Sequence, residues 1–249
     1  MRKFDFNYFV AEFAKATNME SLHATLEQAT HDLGFRYFAM GHHVDLAIPP
    51  EGIVRLTNYH ESWIGQIVEE GFFADDPIHA ASTKSLVGFL WHDVGSLIEL
   101  SDRQKQILET AAKFGLATGC TIPAHIPGEF LGTCSFGAPS LDQLRDDSLP
   151  AAYIVGGFAF EAARRIVRRK SRYGTEPTPT FTSRQHEALI WMGRGKADSE
   201  IGTLMGIATS TAHEHVEHVR RAYGNAQRVH LIVRALFDGV VTFTDLLRR

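Results

Sequence analysis

Apolar residues recur at helical spacing through the first thirty positions. Phe6 to Ala16 and Met19 to Leu33 read as two helices, the second with Leu22, Leu26 and Leu33 on one face, Asn18 as its cap and Gly34 just past its end. The pattern then shortens. Tyr37 to His43 and Ile53 to Tyr59 read as strands around a turn-rich segment containing Pro49, Pro50 and Gly52, and Gly71 closes a helix that carries Trp63. Leu86 to Trp91 is a third strand candidate. Ser101 with Gln104 forms a capping box, and Ile107, Ala111 and Phe114 give the helix it opens a buried stripe. Thr118 to Ala124 and Glu129 to Phe136 then predict a hairpin turning at Ile126, Pro127 and Gly128, and Ser140 to Lys170 returns to helical spacing. These elements amount to a sheet of about five strands with helices on both faces.

The long helix ends in Arg164, Arg165, Arg168, Arg169, Lys170 and Arg172. Cations at a helix C-terminus complement its dipole, so a solvated helix end explains the cluster more simply than a phosphate-facing role. The polar, Pro-bearing stretch that follows has no periodicity and reads as a linker over 173–180. Residues 181–249 are helical in pattern. Thr182 and Gln185 make a second capping box ahead of Ala188, Leu189 and Met192; Asp198 to Met205 ends at Gly206; and Ser210 to Tyr223 carries Ala212, Val216, Val219 and Tyr223 on one stripe. Two short helices joined by a Gly-containing turn, the second polar on its outside, outline a helix-turn-helix. The fold class expected is α+β: an N-terminal α-β-α sandwich over 1–172 with a mainly antiparallel sheet, and a small all-α domain.

Composition narrows the function. A chain of 249 residues with 44% hydrophobic content holds one large core and one small one, and a net charge of −4 confines any nucleic-acid contact to a local surface. Cys120 and Cys134 make neither a disulfide framework nor a zinc site, and they are expected to pack as small apolar residues on strands. The longest apolar run, Leu149 to Phe160, is far short of the roughly 20 residues a membrane span needs, and the charged start is unlike a secretory leader. A soluble cytoplasmic protein is expected, with no membrane partner.

Candidate chemistry concentrates between Tyr59 and Trp91, where a Tyr, two Trp and the pair Asp76-Pro77 stand among apolar residues. Aromatic bodies with polar handles beside a carboxylate can wall an apolar pocket and still direct hydrogen bonds into it. Ordinary core packing, with Asp76 as a helix cap and Pro77 at the first helical position, explains the same residues.

The C-terminal region resolves part of that ambiguity. Arg184, Glu187, Leu189, Gly195, Lys196, Glu200, Ile201, Leu204, Thr211, His215, Gly224, Arg228 and Ala235 stand where the DNA-binding domain of the LuxR family of quorum-sensing regulators places such residues, and the chain resembles that family over some sixty positions without a gap. Members with an N-acyl-homoserine-lactone domain also carry a Tyr, a Trp, Asp-Pro and a second Trp, as Tyr59, Trp63, Asp76-Pro77 and Trp91 do here; Gly119 and Ser135 match as well.

The resemblance implies a transcription regulator, not an enzyme, that binds a lactone in the N-terminal domain and a palindromic promoter site on double-stranded DNA as a homodimer. By that analogy Trp63 donates to the lactone carbonyl, Asp76 accepts the amide N–H, Tyr59 and Ser135 donate to the acyl carbonyl, and Trp91 walls the ring or tail. DNA contacts are implied for Thr209, Ser210, His213, Glu214, Glu217, Arg220 and Arg221. Two departures qualify this. Ile67 replaces a Tyr usual in the family and makes that part of the pocket drier and differently shaped, which leaves open a different small molecule. His213, Glu214, Glu217 and His218 occupy an outward face where many relatives have Lys or Arg, which leaves open either an altered sequence preference or an interaction module that silences a related regulator. Spacing allows Glu214 to pair with His218 and His213 with Glu217. Ala197 and Ala208 stand where relatives tend to have caps, with Asp198, Thr209 or Ser210 as substitutes. No metal or cofactor is expected: His213 and His215 diverge by roughly 200° on a helix, Ser135 lies in no nucleophile motif, and the Gly193-Arg194-Gly195-Lys196 run lacks the upstream Gly of a phosphate loop.

Overall fold

The computed structural model describes residues 4–45, 48–50, 52–126, 129–140, 142, 144, 147–170 and 178–247, and excludes the side chains of 169 and 170. The chain divides into two compact units, one drawn chiefly from the residues before Thr175 and the other from Glu176–Arg249.

The first unit opens with α1 (Phe6–Lys15) and α2 (Met19–Asp32). Asn18 caps α2 as expected, its side chain accepting the Ser21 N–H at 2.8 Å. Strand β1 (Tyr37–His42) leads to β2 (Arg55–Thr57), then α3 (Glu61–Glu69), α4 (Phe72–Asp75), α5 (Pro77–Ser82), β3 (Phe89–Leu90), α6 (Val94–Leu97), α7 (Asp102–Lys113), β4 (Thr118–Pro123), β5 (Gly132–Ala138) and α8 (Ser148–Lys170). The five strands are antiparallel throughout, in the order β2-β1-β5-β4-β3.

Alternation along the strands sorts their side chains between two faces. Phe38 and Met40 of β1, Cys120 and Ile122 of β4, and Cys134 and Phe136 of β5 join Leu22, Leu26, Val155, Phe160 and Ile166 in the main core under α1, α2 and α8. Burial pushes the Cys120 thiol up to about 12 and raises Cys134 as well. Both remain neutral thiols that pack as small apolar groups. The intervening residues Tyr37, Ala39, Gly41, Gly119, Thr121, Thr133, Ser135 and Gly137 turn to the opposite face. There Trp63, Phe72, Ile107 and Leu116 form a second apolar cluster with Tyr59, Ile67, Trp91, Ala111 and Phe114 packed against it.

Three elements differ from the sequence expectation. The strand expected over Leu86 to Trp91 shrinks to Phe89–Leu90. Ser85 draws the backbone into a local turn, its hydroxyl donating to the Val87 carbonyl at 2.7 Å and accepting the Val87 N–H at 3.3 Å, so Leu86 and Val87 never join the ladder. Trp91 begins a 3-10 turn, Trp91–Asp93, rather than ending a strand. The helix expected from Ser140 starts at Ser148, because Pro150 lacks a donor and clashes with the preceding turn and is tolerated only in the first turn of α8. Strand β2 keeps only three residues of the expected Ile53 to Tyr59. Pro127 and Gly128 of the hairpin turn, Arg172 and most of the expected linker lie outside the described residues. Of the basic cluster, Arg164 pairs with Glu161. Arg165 donates to the carbonyls of Phe13, Ala14 and Ala16 at 2.8, 3.0 and 3.2 Å and thereby caps the C-terminal end of α1.

The second unit contains α9 (Ser183–Gly193), α10 (Asp198–Met205), α11 (Thr209–Ala222), α12 (Arg228–Phe237) and α13 (Phe243–Leu247) around Leu189, Ile201, Ala212, Val219, Leu231 and Ala235. The capping boxes at Ser101 and at Thr182 both form. Between α10 and α11 the chain turns at Gly206, whose φ of +66° favours glycine. A Cβ on Gly202 would lie 3.0 Å from the Ile207 carbonyl, so that glycine lets the turn fold back closely onto α10.

Candidate functional site

The second face of the sheet and helices α3, α4, α5 and α7 line a cavity of about 160 Å³, against roughly 10–15 Å³ for one water on the same measure. That difference suits an organic ligand. Tyr59, Trp63, Ile67, Asp76, Trp91 and Ser135 all line it, as do Phe72, Ile107 and Leu116. Residues separated by as many as 76 positions in the chain therefore meet at one space.

Each polar group arrives by an identifiable local device. Asp76 is the N-cap of α5, with Pro77 in the first helical position. One carboxylate oxygen accepts the Ile78 N–H at 2.8 Å and the His79 N–H at 3.4 Å, while the other lies 3.8 Å from His79 Nε2. Capping thus occupies one oxygen and leaves the other beside His79, so a helix cap at Asp76 is compatible with a place in the cavity wall. Trp63 is buried between Phe72 and Phe114, with ring centroids 6.0 and 5.3 Å away. Burial, and after it the Asp76 carboxylate, raises the Tyr59 hydroxyl well above the ordinary tyrosine value, so Tyr59 keeps its proton and can donate it.

Trp91 lies against the sheet where two glycines face each other across the β4–β5 ladder, Gly119 opposite Gly137. A Cβ on Gly119 would come within 2.9 Å of Trp91 Cε2, and one on Gly137 within 2.9 Å of Trp91 Cη2. The indole N–H then donates to Thr121 Oγ1 at 2.8 Å, and the Thr121 and Ser135 hydroxyls are 2.8 Å apart. An indole only donates, so Thr121 accepts from Trp91 and has one proton of its own to pass on. Given to Ser135, that proton leaves the Ser135 O–H for the cavity. Motif reasoning misses Thr121 and Gly137; their signal is the two-residue alternation that places them on the same face as Gly119 and Ser135.

In the second unit, α11 buries Ala212, Val216 and Val219 and exposes Ser210, His213, Glu214, His218 and Arg221. The i, i+4 pairing that spacing allows between His213 and Glu217 is replaced by closer partners. His213 Nδ1 lies 2.7 Å from Asp198, and Glu217 accepts from Arg220 at 2.6 Å. Arg220 also reaches the Ala226 carbonyl at 3.4 Å, which leaves it half-buried instead of outward. Asp198 does not cap α10. Its other oxygen accepts from Arg228 Nη2 at 2.6 Å, so one carboxylate joins α10, α11 and α12. Glu200 accepts the Ala197 N–H at 2.9 Å in place of a capping side chain, and that bond holds its carboxyl below the usual range. Neither Thr209 nor Ser210 supplies a side-chain cap for α11.

Among the described residues no helix is long and apolar enough to cross a membrane, and no three His, Cys, Asp or Glu side chains are grouped to hold a metal ion.

Comparison with known proteins agrees with this architecture. The autoinducer binding domain family matches residues 18–166. The transcriptional activator protein AhyR of Aeromonas hydrophila is 25% identical over 236 residues, covering 94% of this chain and 90% of its own. The crystal structure of Escherichia coli SdiA superposes with a TM-score of 0.67 at 21% identity over 98% of both chains, and SdiA in complex with octanoyl-rac-glycerol superposes equally well over 97% of this chain and 99% of its own. The N-acylhomoserine lactone dependent LuxR family factor CepR2 of Burkholderia cenocepacia gives a TM-score of 0.50 at 19% identity, over 66% of this chain and 94% of its own. A family match that spans more than half the chain, together with full-length relatives that are transcriptional activators, means that this protein belongs to the autoinducer binding domain family, among the LuxR-type regulators.

Proposed function

We propose that the protein is a ligand-responsive transcription regulator whose cavity takes an N-acyl-homoserine lactone and whose α11 reads a palindromic promoter site as part of a homodimer. The carrying observation is the convergence of Tyr59, Trp63, Asp76, Trp91 and Ser135 on one apolar cavity, with one Asp76 oxygen left over after capping α5. A lactone amide needs an acceptor and its two carbonyls need donors. Asp76 supplies the acceptor, Trp63 donates to the lactone carbonyl, and Tyr59 with Ser135 donates to the acyl carbonyl, while Trp91 and Ile67 line the remaining space. A bond to a charged acceptor contributes about 1.5–3 kcal/mol, and each buried methylene of the tail adds about 0.8 kcal/mol gross. Ligand held only by the folded state stabilises it by about 2.7 kcal/mol at a hundred times Kd, enough to bias a marginal domain toward folding.

Asp76→Asn tests the headgroup assignment cleanly, because Asn caps a helix about as well as Asp. With its single oxygen engaged by the Ile78 N–H, the Asn would turn an NH2 group toward the ligand amide, donor against donor. Thermal shift with lactones of graded tail length is expected to saturate for the parent and to require at least tenfold more ligand for the variant. No shift at any tail length would remove the lactone. For the second unit, Thr209, Ser210, His213, Glu214 and Arg221 stand at the outward or N-terminal part of α11, and Glu217 and Arg220 act as a pair beside them. Retardation of a promoter fragment at low salt, competed by specific but not by unrelated duplex, supports this reading; its absence favours a module that acts by pairing with a related regulator.

A further inference from the structure

The outward face of α11 lacks the strong donors that usually read guanine. Ser210, His213, Glu214 and Glu217 follow the i, i+3, i+4, i+7 spacing away from the buried Ala212, Val216 and Val219, and residues 209–216 include no Lys or Arg. The N-terminal residues of a recognition helix are the ones that meet base edges. Guanine offers two acceptors in the major groove, which Arg or Lys satisfies best. Near the start of α11 the long side chains are His213 and Glu214, and a carboxylate only accepts.

The hydrogen-bond polarity of His213 is fixed from behind. Its Nδ1 lies 2.7 Å from Asp198 Oδ2. The other Asp198 oxygen accepts from Arg228 Nη2 at 2.6 Å, and Arg228 Nη1 donates to the Lys196 carbonyl at 2.9 Å. A carboxylate held at one oxygen by a guanidinium that is itself held cannot turn away, and it has no proton to give. Nδ1 therefore carries the imidazole proton, and the neutral ring presents Nε2 as an acceptor. The His213 side chain is 59% exposed against 25% for Asp198, and neither Nε2 nor the Glu214 carboxylate has a partner among the described residues. Both acceptors are thus open to whatever lies against α11.

We propose that His213 reads an exocyclic amino group, cytosine N4 or adenine N6, through Nε2, with Asp198 as the positioning residue that sets this polarity and Glu214 taking a second amino group. The proposal rests on the reading of α11 as the DNA-contacting helix. A guanine or thymine oxygen opposite Nε2 would set acceptor against acceptor. Adenine carries its N7 acceptor beside the amino group, which repels a carboxylate, so Glu214 favours cytosine. The long-range consequence is that a residue on α10, outside the reading helix, decides which bases that helix accepts.

The test is selection of duplexes from a randomised pool by the full-length protein at low salt and pH about 8.5, where imidazoles are uncharged, followed by gel-shift titration of single-base variants of the consensus. Asp198→Asn is the informative substitution. With its oxygen kept on Arg228, the Asn turns its NH2 toward His213 Nδ1, which must then accept, so the proton moves to Nε2. One consensus position is expected to change from C or A to G or T, by about fivefold to tenfold in relative affinity, while the Glu214 position keeps its cytosine. A purely structural tie between α10 and α11 would instead weaken all sequences alike. That result, or a parent consensus with G or T at the positions relaxed by His213→Ala and Glu214→Ala, overturns the proposal and leaves DNA reading by α11 standing. Failure of the parent to enrich any sequence overturns both. His213→Ala is expected to relax one position only, and an unchanged consensus would overturn the proposal even where Asp198→Asn does not fold.

Discussion

Replacing Gly119 by alanine adds one methyl group where the structure has least room for it. The new Cβ would lie 2.2 Å from the Phe136 carbonyl oxygen and 2.9 and 3.0 Å from two atoms of the Trp91 indole. The carbonyl belongs to the neighbouring strand and cannot swing aside without breaking the ladder, so either β4 and β5 separate or Trp91 leaves its place. Overpacking of this kind costs about 1–3 kcal/mol, and the upper half applies because the closest atom is backbone. In a unit of this size each kcal/mol moves the melting temperature by about 2–4 °C, which gives a fall of about 4–12 °C. Gly65 is the matched control. It sits inside α3 with nothing within 4 Å of an added methyl, and alanine there gains about 0.5–1 kcal/mol of helix preference, a rise of roughly 1–4 °C. The assay is a thermal melt of the three proteins without ligand, with tryptophan fluorescence to follow Trp91. If Gly119→Ala melted no lower than Gly65→Ala, with parent-like fluorescence, the glycine seat for Trp91 would be wrong.

Three further outcomes are expected. The folded state holds His43 below its unfolded value of about 6.5, so its contribution to stability is complete above that pH and is lost as pH falls toward 2; one proton gives a slope of at most about 1.4 kcal/mol per pH unit, or about 2 kcal/mol between pH 7.5 and 5, and urea midpoints across that range are expected to fall less steeply for His43→Gln than for the parent. Trp91→Phe removes the donor to Thr121 and is expected to weaken lactone binding about fivefold, by about 1 kcal/mol, with little further loss when Thr121→Val is added; fully additive losses would show that the two do not act through one chain. Glu217→Lys replaces a carboxylate on α11 by a cation, so gel-shift affinity at low salt is expected to rise several-fold, with the slope of log K against log salt steeper by up to about 0.9; an unchanged slope places residue 217 away from phosphate.

Much of the fold was legible because it rests on local rules. Asn18, Ser101 and Thr182 cap where their side chains predict, and the period-two pattern of β1, β4 and β5 separates the main core from the cavity face. Five of the six cavity residues were readable as a constellation, since their order and residue types match a family whose domain spans 18–166, and Ile67 stood out as the departure. What escaped depends on contacts between distant segments. Gly137 and Thr121 matter because β4 and β5 pair in one register; the two-residue alternation gives their face but not the partners they meet there. The partner of His213 changed because Asp198, fifteen residues before it, comes within reach only after α10 folds onto α11. Likewise His43, His79 and His125 are scattered in sequence and meet only in the folded unit.

The function turns on the identity of the molecule in the cavity. Full-length protein produced in cells that make acyl-homoserine lactones, purified and extracted into organic solvent, reports that identity by mass spectrometry. One lactone per chain is expected, and its loss is expected from Asp76→Asn. Recovery of a different small molecule such as a monoacylglycerol, or of lactone in equal amount from the variant, would contradict the lactone assignment.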